Sequence, residues 1–253
     1  FSAAQPLTER SLAAWEQIRG PEHHNTLAIR TTLAYLLERQ GDYAGAERHF
    51  RRLMAIQESI AGSDRSALAS AMNNLANFLT TTSQLDEAVT LARRALVIQE
   101  ECFGPQSKEV LSPLNNLAHL LKVTNRLSEA EQLTRRALKT ARNKLGQESD
   151  IYQCVLNNYS GILLTAGRYE EADVRYREAL GLAERIYGVK HPRYSASVNN
   201  LACLMKSLGR FEEAESLLRK ALKIDEECFG SEHPTVATRL SNLAGVLLAT
   251  TTS

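Results

Sequence analysis

The sequence lacks the features by which membrane proteins and nucleic-acid-binding proteins are recognised. Its 253 residues carry 30 basic and 29 acidic side chains, and the net charge of +1 gives no bulk attraction for nucleic acid or an anionic membrane. No apolar run approaches the roughly 20 residues that a membrane helix needs. Aromatic residues are only 6% of the chain, too few to alternate with basic residues in a single-stranded nucleic-acid site. We therefore predict neither a nucleic-acid partner nor a membrane partner.

Motifs for catalysis and cofactor binding are also missing. The chain has no P-loop, no G-x-S-x-G, no H-E-x-x-H and no glycine-rich dinucleotide turn. Its four cysteines form no C-x-x-C pair, which favours buried, reduced thiols and a cytoplasmic location. Cys154 and Cys203 have no evident histidine partner for nucleophilic catalysis. These absences predict a protein that is not an enzyme and has no cofactor.

What the sequence does contain is a strict repeat. Six of its 13 glycines follow one another at intervals of 42 residues: Gly20, Gly62, Gly104, Gly146, Gly188 and Gly230. A Leu-Ala pair follows 13 residues after each glycine, except after Gly146, where Tyr159-Ser160 takes its place. This register predicts a single array over 1–253. Its complete repeats are 21–62, 63–104, 105–146, 147–188 and 189–230, with partial repeats at 1–20 and 231–253.

Each repeat is predicted to contain two helices, because apolar residues recur at helical spacing and no sustained period-2 alternation is present. The first helix of the chain is predicted over 3–19. Helix A of each repeat is predicted near 25–39, 66–81, 108–123, 149–165, 191–207 and 233–249. Helix B is predicted near 44–60, 86–102, 128–144, 170–186 and 212–228. Small residues in one register, such as Ala46, Ala88 and Ala130, would let the helices approach closely.

Helix–turn–helix units with Leu-Ala in helix A and alanine near the start of helix B resemble the tetratricopeptide repeat. The usual unit has about 34 residues, and eight more residues add about two helical turns. The long form, with Asn-Asn-Leu-Ala and the linkers Gly188-Val189-Lys190-His191-Pro192 and Gly230-Ser231-Glu232-His233-Pro234, is similar to kinesin light chains and to the tails of many bacterial and fungal signalling proteins. The resemblance covers essentially the whole chain. It implies an all-α, right-handed superhelical solenoid with a 42-residue period.

One side of helix A is polar but uncharged. In the second repeat, turning the helix by about 100° per residue places Leu68 and Met72 on one side. Asn73, Asn74 and Asn77 fall on the other side. Equivalent asparagine pairs follow in the next three repeats, although asparagine is a middling helix former. The pairs therefore indicate a constraint beyond helix formation.

Two explanations of these asparagines remain open. They could hydrogen-bond to one another and to neighbouring helices, tying repeat to repeat. Alternatively, they could line a concave groove and bind the backbone of an extended peptide, since an amide can donate and accept. In the repeats that this chain resembles, the inner face of helix A binds peptides. That resemblance implies as first candidates Asn74, Asn116, Asn158 and Asn200, and as second candidates Asn73, Asn115, Asn157 and Asn199.

Further candidates on the same face are Asn77, His119, Lys122 and Lys206. The two lysines would favour an acidic peptide or a free carboxylate. At the equivalent position other repeats have Glu38, Thr80 and Leu164, so the positive charge is not repeated.

Other repeated polar residues have structural explanations. Helix B carries a basic row that we interpret as a solvated face with ion pairs within and between repeats: Arg51, Arg93, Arg135, Arg177 and Arg219. Linker histidines recur at His23, His191 and His233, too far apart in successive repeats to share a metal ion. We interpret them as loop-packing or capping residues and predict no metal site.

The sequence therefore predicts a protein–protein interaction scaffold that binds a peptide or partner segment in the groove lined by helix A. The alternative is a sensor or autoinhibitory arm of a larger signalling protein, whose NTPase or protease domain is absent from this chain. The chain opens with a helix B that lacks its helix A and closes with a helix A that lacks its helix B. Self-association through these uncapped ends is a further possible interaction.

Overall fold

The computed structural model describes residues 4–60, 62 and 65–251. Across these residues the chain forms twelve α-helices and no strand, which confirms the all-α repeat fold. The helices are α1 (Ala4–Arg19), α2 (His24–Gln40), α3 (Tyr43–Ile60), α4 (Ser66–Thr81), α5 (Leu85–Phe103), α6 (Leu111–Val123), α7 (Leu127–Leu145), α8 (Asp150–Thr165), α9 (Tyr169–Tyr187), α10 (Pro192–Ser207), α11 (Phe211–Phe229) and α12 (Pro234–Thr251). Even-numbered helices are helix A segments, and odd-numbered helices are helix B segments. The predicted bounds agree to within two residues except at α6, and the predicted start at residue 3 lies outside the described residues.

The exception is the helix A that we predicted over 108–123. Lys108–Val110 forms a 3-10 turn, and α6 starts only at Leu111. Pro113 explains the later start, because proline has no backbone N–H and fits an α-helix without disruption only in its first turn. The register is unchanged, since α4, α6, α8 and α10 end at intervals of 42 residues.

The chain divides into two units, residues 1–124 and residues 125–253. In the first unit, consecutive helices from α1 to α6 pack against one another, and α4 also contacts α6. In the second unit, α7 to α12 do the same, and α10 contacts both α8 and α12. Helix A segments that follow one another in a unit are therefore direct neighbours. A single array over 1–253 stays a prediction.

Alanine rows provide the close helix contacts inside each unit. In helix B the alanines of one register are 0% exposed: Ala46, Ala88, Ala130, Ala172 and Ala214. The matching helix A alanines are at most 1% exposed: Ala34, Ala76, Ala118 and Ala202. The alanines of the same registers in α1 and α12, Ala4 and Ala244, are exposed.

Four of the periodic glycines adopt a backbone conformation that other residues avoid. Gly104, Gly146, Gly188 and Gly230 have φ between 80° and 84° and ψ between 152° and 166°. This region is essentially restricted to glycine, because a Cβ atom would collide with the backbone. Each of these glycines directly follows a helix B. At these four positions the glycine register therefore reflects the chain reversal that starts the next helix A.

A second left-handed position lies in the turn from helix A to helix B. Five residues at this register have φ between 58° and 84°: Gly41, Ser83, Asn125, Gly167 and Gly209. Asparagine tolerates this region better than most residues, but serine pays a steric cost. These turns fall in the gaps between the predicted helices, but the unusual conformation of Ser83 was not predicted.

The linker histidines are helix caps, as predicted. The Nδ1 atoms of His23, His191 and His233 accept hydrogen bonds from the backbone N–H two residues later, at 3.3, 3.1 and 3.2 Å. Each ring also stacks on an aromatic residue of the preceding helix B, with centroids 4.4 to 5.4 Å apart. In these three repeats, one histidine therefore both caps helix A and packs the linker against the preceding helix B.

Candidate functional site

The asparagine pairs form two rows that differ in burial. We call Asn73, Asn115, Asn157 and Asn199 the first row, and Asn74, Asn116, Asn158 and Asn200 the second row. In the first row, Asn73 and Asn199 are only 8% and 7% exposed, and the other two are half-buried. All members of the second row are half-buried. Consecutive helix positions lie about 100° apart, so the two side chains of a pair cannot share one environment.

In the second unit, the first row forms hydrogen bonds between neighbouring helix A segments. Asn157 Nδ2 on α8 donates to Ser197 Oγ on α10 at 3.0 Å. Asn242 Nδ2 on α12 donates to Asn199 Oδ1 on α10 at 2.9 Å. Gln153 on α8 also donates to Ser197 Oγ, at 2.9 Å. These bonds support the structural explanation for the first row, namely that it ties repeat to repeat.

Two first-row acceptors are buried without a hydrogen-bond partner, Asn73 Oδ1 and Asn157 Oδ1. Asn242 donates to Asn199, which lies 43 residues before it. The same separation of 43 residues relates Asn116 to Asn73 and Asn200 to Asn157. Asn116 and Asn200 do not make the corresponding hydrogen bonds, since Asn73 Oδ1 and Asn157 Oδ1 have no partner. Asn242 is thus fixed by a neighbour, whereas Asn116 and Asn200 are not.

Three of the four second-row asparagines have side chains without a hydrogen-bond partner in the described residues. Within the described part of the chain, the side chains of Asn74, Asn116 and Asn200 form no hydrogen bond, whereas Asn158 has an interaction partner. Half-burial restricts the rotamers of these side chains while leaving part of each amide open to solvent. Each of these three amides offers an NH₂ donor and a C=O acceptor, the groups needed to pair with a backbone C=O and N–H.

The remaining helix A candidates differ in their exposure. Asn77, His119 and Lys206 are exposed, and Lys122 is half-buried. Desolvation and the nearby ammonium group of Lys122 lower the pKa of His119, and desolvation lowers the pKa of Lys122. In the second unit, Lys206 extends from α10 across Gly245 of α12, where a Cβ would lie 2.9 Å from its Nζ. Each unit therefore carries one of the two candidate lysines on a helix A segment, Lys122 on α6 and Lys206 on α10.

The cysteines follow the prediction only in part. All four are free thiols, and Cys154 and Cys203 are half-buried. Desolvation raises the pKa of both thiols, which keeps them protonated and weakly nucleophilic. Cys228 is exposed, contrary to the expectation of buried thiols, because its position lies at the solvated end of α11.

The helix B face is charged but largely neutralised by its own ion pairs. Arg51 bonds Glu47 of the same helix at 2.8 Å and Glu87 of the next helix B at 2.7 and 2.9 Å. Arg177 similarly pairs with Asp173 at 3.0 Å and with Glu213 at 3.6 Å. This pattern confirms the predicted ion pairs within and between repeats.

A cleft between α7, α8 and α9 was missed by the sequence analysis. It is lined by Arg135, Leu138, Arg142, Tyr152, Leu156, Tyr159, Glu171 and Arg175. One signal was available in the sequence, because Tyr159 interrupts the otherwise constant Leu-Ala register. The other lining residues come from three helices and were not recognised as neighbours.

Among residues 4–60, 62 and 65–251, no group of three or more His, Cys, Asp or Glu side chains could hold a metal ion. None of the helices in the described part of the chain combines the length and the apolar character that a membrane crossing requires.

Matches to one family of known proteins extend over most of the chain. The profile of the tetratricopeptide repeat family matches residues 1–59, 67–143, 152–227 and 203–251. No curated protein matches the chain significantly.

Among solved structures, BtubC (BKLC) from P. vanneervenii is similar, with 23% identity over 92% of this chain and 93% of that chain and a TM-score of 0.73. A kinesin light chain-like protein from Podospora anserina with nearly identical TPR-like repeats has 20% identity, covers 80% of this chain and 95% of that chain, and has a TM-score of 0.66. A thermophilic TPR protein of Thermus thermophilus has 18% identity over 88% and 99% of the two chains, with a TM-score of 0.62. At these identities the likeness shows the fold.

Proposed function

This chain belongs to the tetratricopeptide repeat family, whose repeats generally mediate protein–protein interactions, and we propose that it is a scaffold that binds an extended segment of a partner protein along the helix A face. The observation that carries the proposal is the state of the second asparagine row. Asn74, Asn116 and Asn200 are half-buried, and their amides form no hydrogen bond to the described residues. A bound backbone would supply the missing partners, because an amide can pair with both an N–H and a C=O group.

The two asparagine rows have separate tasks in this proposal. In the second unit the first row holds neighbouring helix A segments together, as Asn199 does by accepting from Asn242 at 2.9 Å. The second row contacts the ligand. This division explains why asparagines occur in pairs, since each helix A must bind its neighbour and the ligand from adjacent positions.

In this proposal, side-chain preference comes from the two helix A lysines. Lys122 in the first unit and Lys206 in the second would favour acidic side chains or a free carboxylate in the bound segment. Backbone recognition supplies most of the contacts, and these lysines would select among sequences.

The proposal can be tested with a random peptide display library as the probe. Peptides selected on the wild-type chain are measured against Asn116→Ala, Asn200→Ala and the double variant. The control is Asn143→Ala, which removes an exposed amide from helix B. We expect each helix A substitution to weaken binding of peptides at its own unit by about tenfold, the effect of removing a buried hydrogen-bond partner. Unchanged affinity in the double variant, with circular dichroism showing an intact fold, would refute the proposal.

A further inference from the structure

The cleft between α7, α8 and α9 lies entirely within the second unit, between two helix B segments and the helix A that connects them. Its volume of about 360 Å³ is at the lower end of the range for small-molecule sites. Leu138 and Leu156 give it apolar walls, and Arg135, Arg142 and Arg175 reach it from α7 and α9. Three guanidinium groups in one small cleft indicate an anionic ligand.

The other repeats provide an internal reference for the cleft. The position of Arg142 is glutamate in every other helix B: Glu16, Glu58, Glu100, Glu184 and Glu226. The position of Arg175 is leucine or histidine elsewhere: Leu7, His49, Leu91, Leu133 and Leu217. Both arginines therefore depart from the array at the same place in the structure, and each departure adds positive charge to the cleft.

The reversal at Arg142 changes an ion pair between repeats. In the first unit, Glu58 pairs with Arg94 of the next helix B at 2.8 Å. The equivalent positions in the cleft are Arg142 and Glu178, so both signs are exchanged. Glu178, however, accepts from Arg175 at 2.8 Å. Arg142 has no carboxylate within ion-pair distance among the described residues.

The remaining charges around the cleft largely cancel. Arg135 donates to Glu131 at 2.8 Å and to the hydroxyl of Tyr159 at 3.2 Å. Arg168 bonds both Glu131 and Glu171, at 2.6 to 2.9 Å. The cleft and its direct ion-pair partners thus contain four arginines and three glutamates, and Arg142 is the arginine without a partner.

The tyrosines support this assignment of charge. Burial and the negative charge of Glu178 raise the pKa of Tyr152, and the positive charges of Arg142 and Arg175 act against that rise, which places these charges near the phenol. The hydroxyl of Tyr159 donates to Glu131 at 3.1 Å. Arg135 also lies over the Tyr159 ring, at 5.9 Å from its centroid. Tyr159 thereby orients Arg135 at one wall of the cleft, where the other repeats have leucine.

We propose that this cleft is a second binding site, which takes a phosphate monoester through Arg142 and Arg175. A planar guanidinium group matches two phosphate oxygens at once, and the dianion would neutralise Arg142 and compete with Glu178 for Arg175. The site is independent of the helix A face, since none of its lining residues belongs to either asparagine row. The phosphate could be carried by a protein side chain or by a small metabolite, because both present the same group.

The test titrates inorganic phosphate into the ¹⁵N-labelled chain at constant ionic strength and follows the arginine Nε–Hε resonances. Saturable shifts are expected at Arg142 and Arg175. Arg142→Glu, which restores the residue of the other repeats, should weaken the apparent affinity by about tenfold or more. The control Arg52→Glu makes the same charge change on an exposed part of α3 and should leave the affinity within about twofold.

Several outcomes would overturn the proposal. These are an absence of saturable shifts, equal losses in Arg142→Glu and Arg52→Glu, or acetate binding as tightly as phosphate at the same ionic strength. Arg142→Gln serves as a second variant if the glutamate disturbs folding, and it should also lose phosphate binding. A phosphoserine tripeptide and glycerol 3-phosphate then distinguish a protein-borne from a metabolite-borne group. Binding of either supports the site, and binding of neither refutes it.

Discussion

On helix B, Arg51 is held by Glu47 of its own helix and by Glu87 of the next repeat, whereas on helix A the amide of Asn74 has no hydrogen-bond partner among the described residues. Both surfaces are polar and both follow the 42-residue register. The difference is that the charges of helix B are mostly matched within the chain, while part of the amide row of helix A is not. A surface that leaves donors and acceptors unmatched at regular intervals is the better candidate for a ligand with a regular backbone.

The exception on each surface is as informative as the rule. On helix A, Asn242 is hydrogen-bonded to Asn199, so it is paired within the chain as most helix B charges are. Arg142 on helix B has no carboxylate partner in the described part of the chain and resembles the unpaired state. In both places one repeat departs from its neighbours, and the departure changes whether a side chain is available to a ligand.

The largest effect is expected where the two surfaces are joined, at the glycine between helix B and helix A. Gly188 has φ of 80° and ψ of 163°, so Gly188→Ala should lower the free energy of unfolding by about 1–3 kcal/mol. Gly181→Ala is the matched control, because its Cβ would meet only the Arg185 guanidinium at 3.7 Å and alanine favours the helix. The control should gain about 0.5–1 kcal/mol in urea denaturation. Equal losses for both variants would contradict this role of Gly188.

The two asparagines of one pair should differ in their effect on stability. Asn199→Ala leaves the Asn242 amide without its acceptor and should cost about 1–2 kcal/mol. Asn200→Ala removes no hydrogen bond and should stay within about 0.5 kcal/mol of the wild type. Thermal melts of the two variants provide the comparison. A larger loss for Asn200→Ala would reverse the assignment of the rows.

The ion pairs of helix B should contribute less and should depend on salt. Arg51 and Glu87 are 40% and 42% exposed, so solvent screens the pair. Arg51→Ala should cost less than about 1 kcal/mol at low ionic strength. The loss should shrink further when unfolding is measured at about 1 M salt, where screening acts over about 3 Å. A loss that does not change with salt would indicate packing rather than electrostatics.

A small pH effect is expected on both surfaces of the first unit. Desolvation and Arg30 lower the pKa of His49, and desolvation and Lys122 lower the pKa of His119. The unfolded state therefore binds protons first, so the stability contributed by the neutral rings is present above about pH 6.5 and is lost as the pH falls through the lowered pKa values. His49→Gln and His119→Gln should each flatten the fall in melting temperature on acidification. An unchanged pH profile in the double variant would contradict this origin.

Much of the fold could be predicted because the same two-helix pattern recurs in every repeat of the sequence. The glycine register and helical periodicity located the helices, and the main error arose where Pro113 delays the start of α6. The left-handed conformation of Ser83 could not be predicted, since serine rarely adopts it and only the turn imposes it.

The candidate asparagines could be named from the sequence, but the different surroundings of the two rows could not. Periodicity placed Asn199 and Asn200 on one side of helix A, but it could not decide which amide faces α12, because that depends on how neighbouring repeats pack. The cleft was even harder to predict from the sequence. Arg142 and Arg175 are 33 residues apart and become neighbours only when α7 and α9 pack around α8.

The most direct test of the central claim records the side-chain amide resonances of the asparagines with and without a display-selected peptide. Saturating peptide should shift the amides of Asn116 or Asn200, according to the unit that it occupies, and should leave the Asn143 amide on helix B unchanged. The Asn199 amide, which is held between α10 and α12, should move less than that of Asn200. Shifts confined to Asn143 and other helix B residues would contradict the assignment of ligand binding to the helix A face.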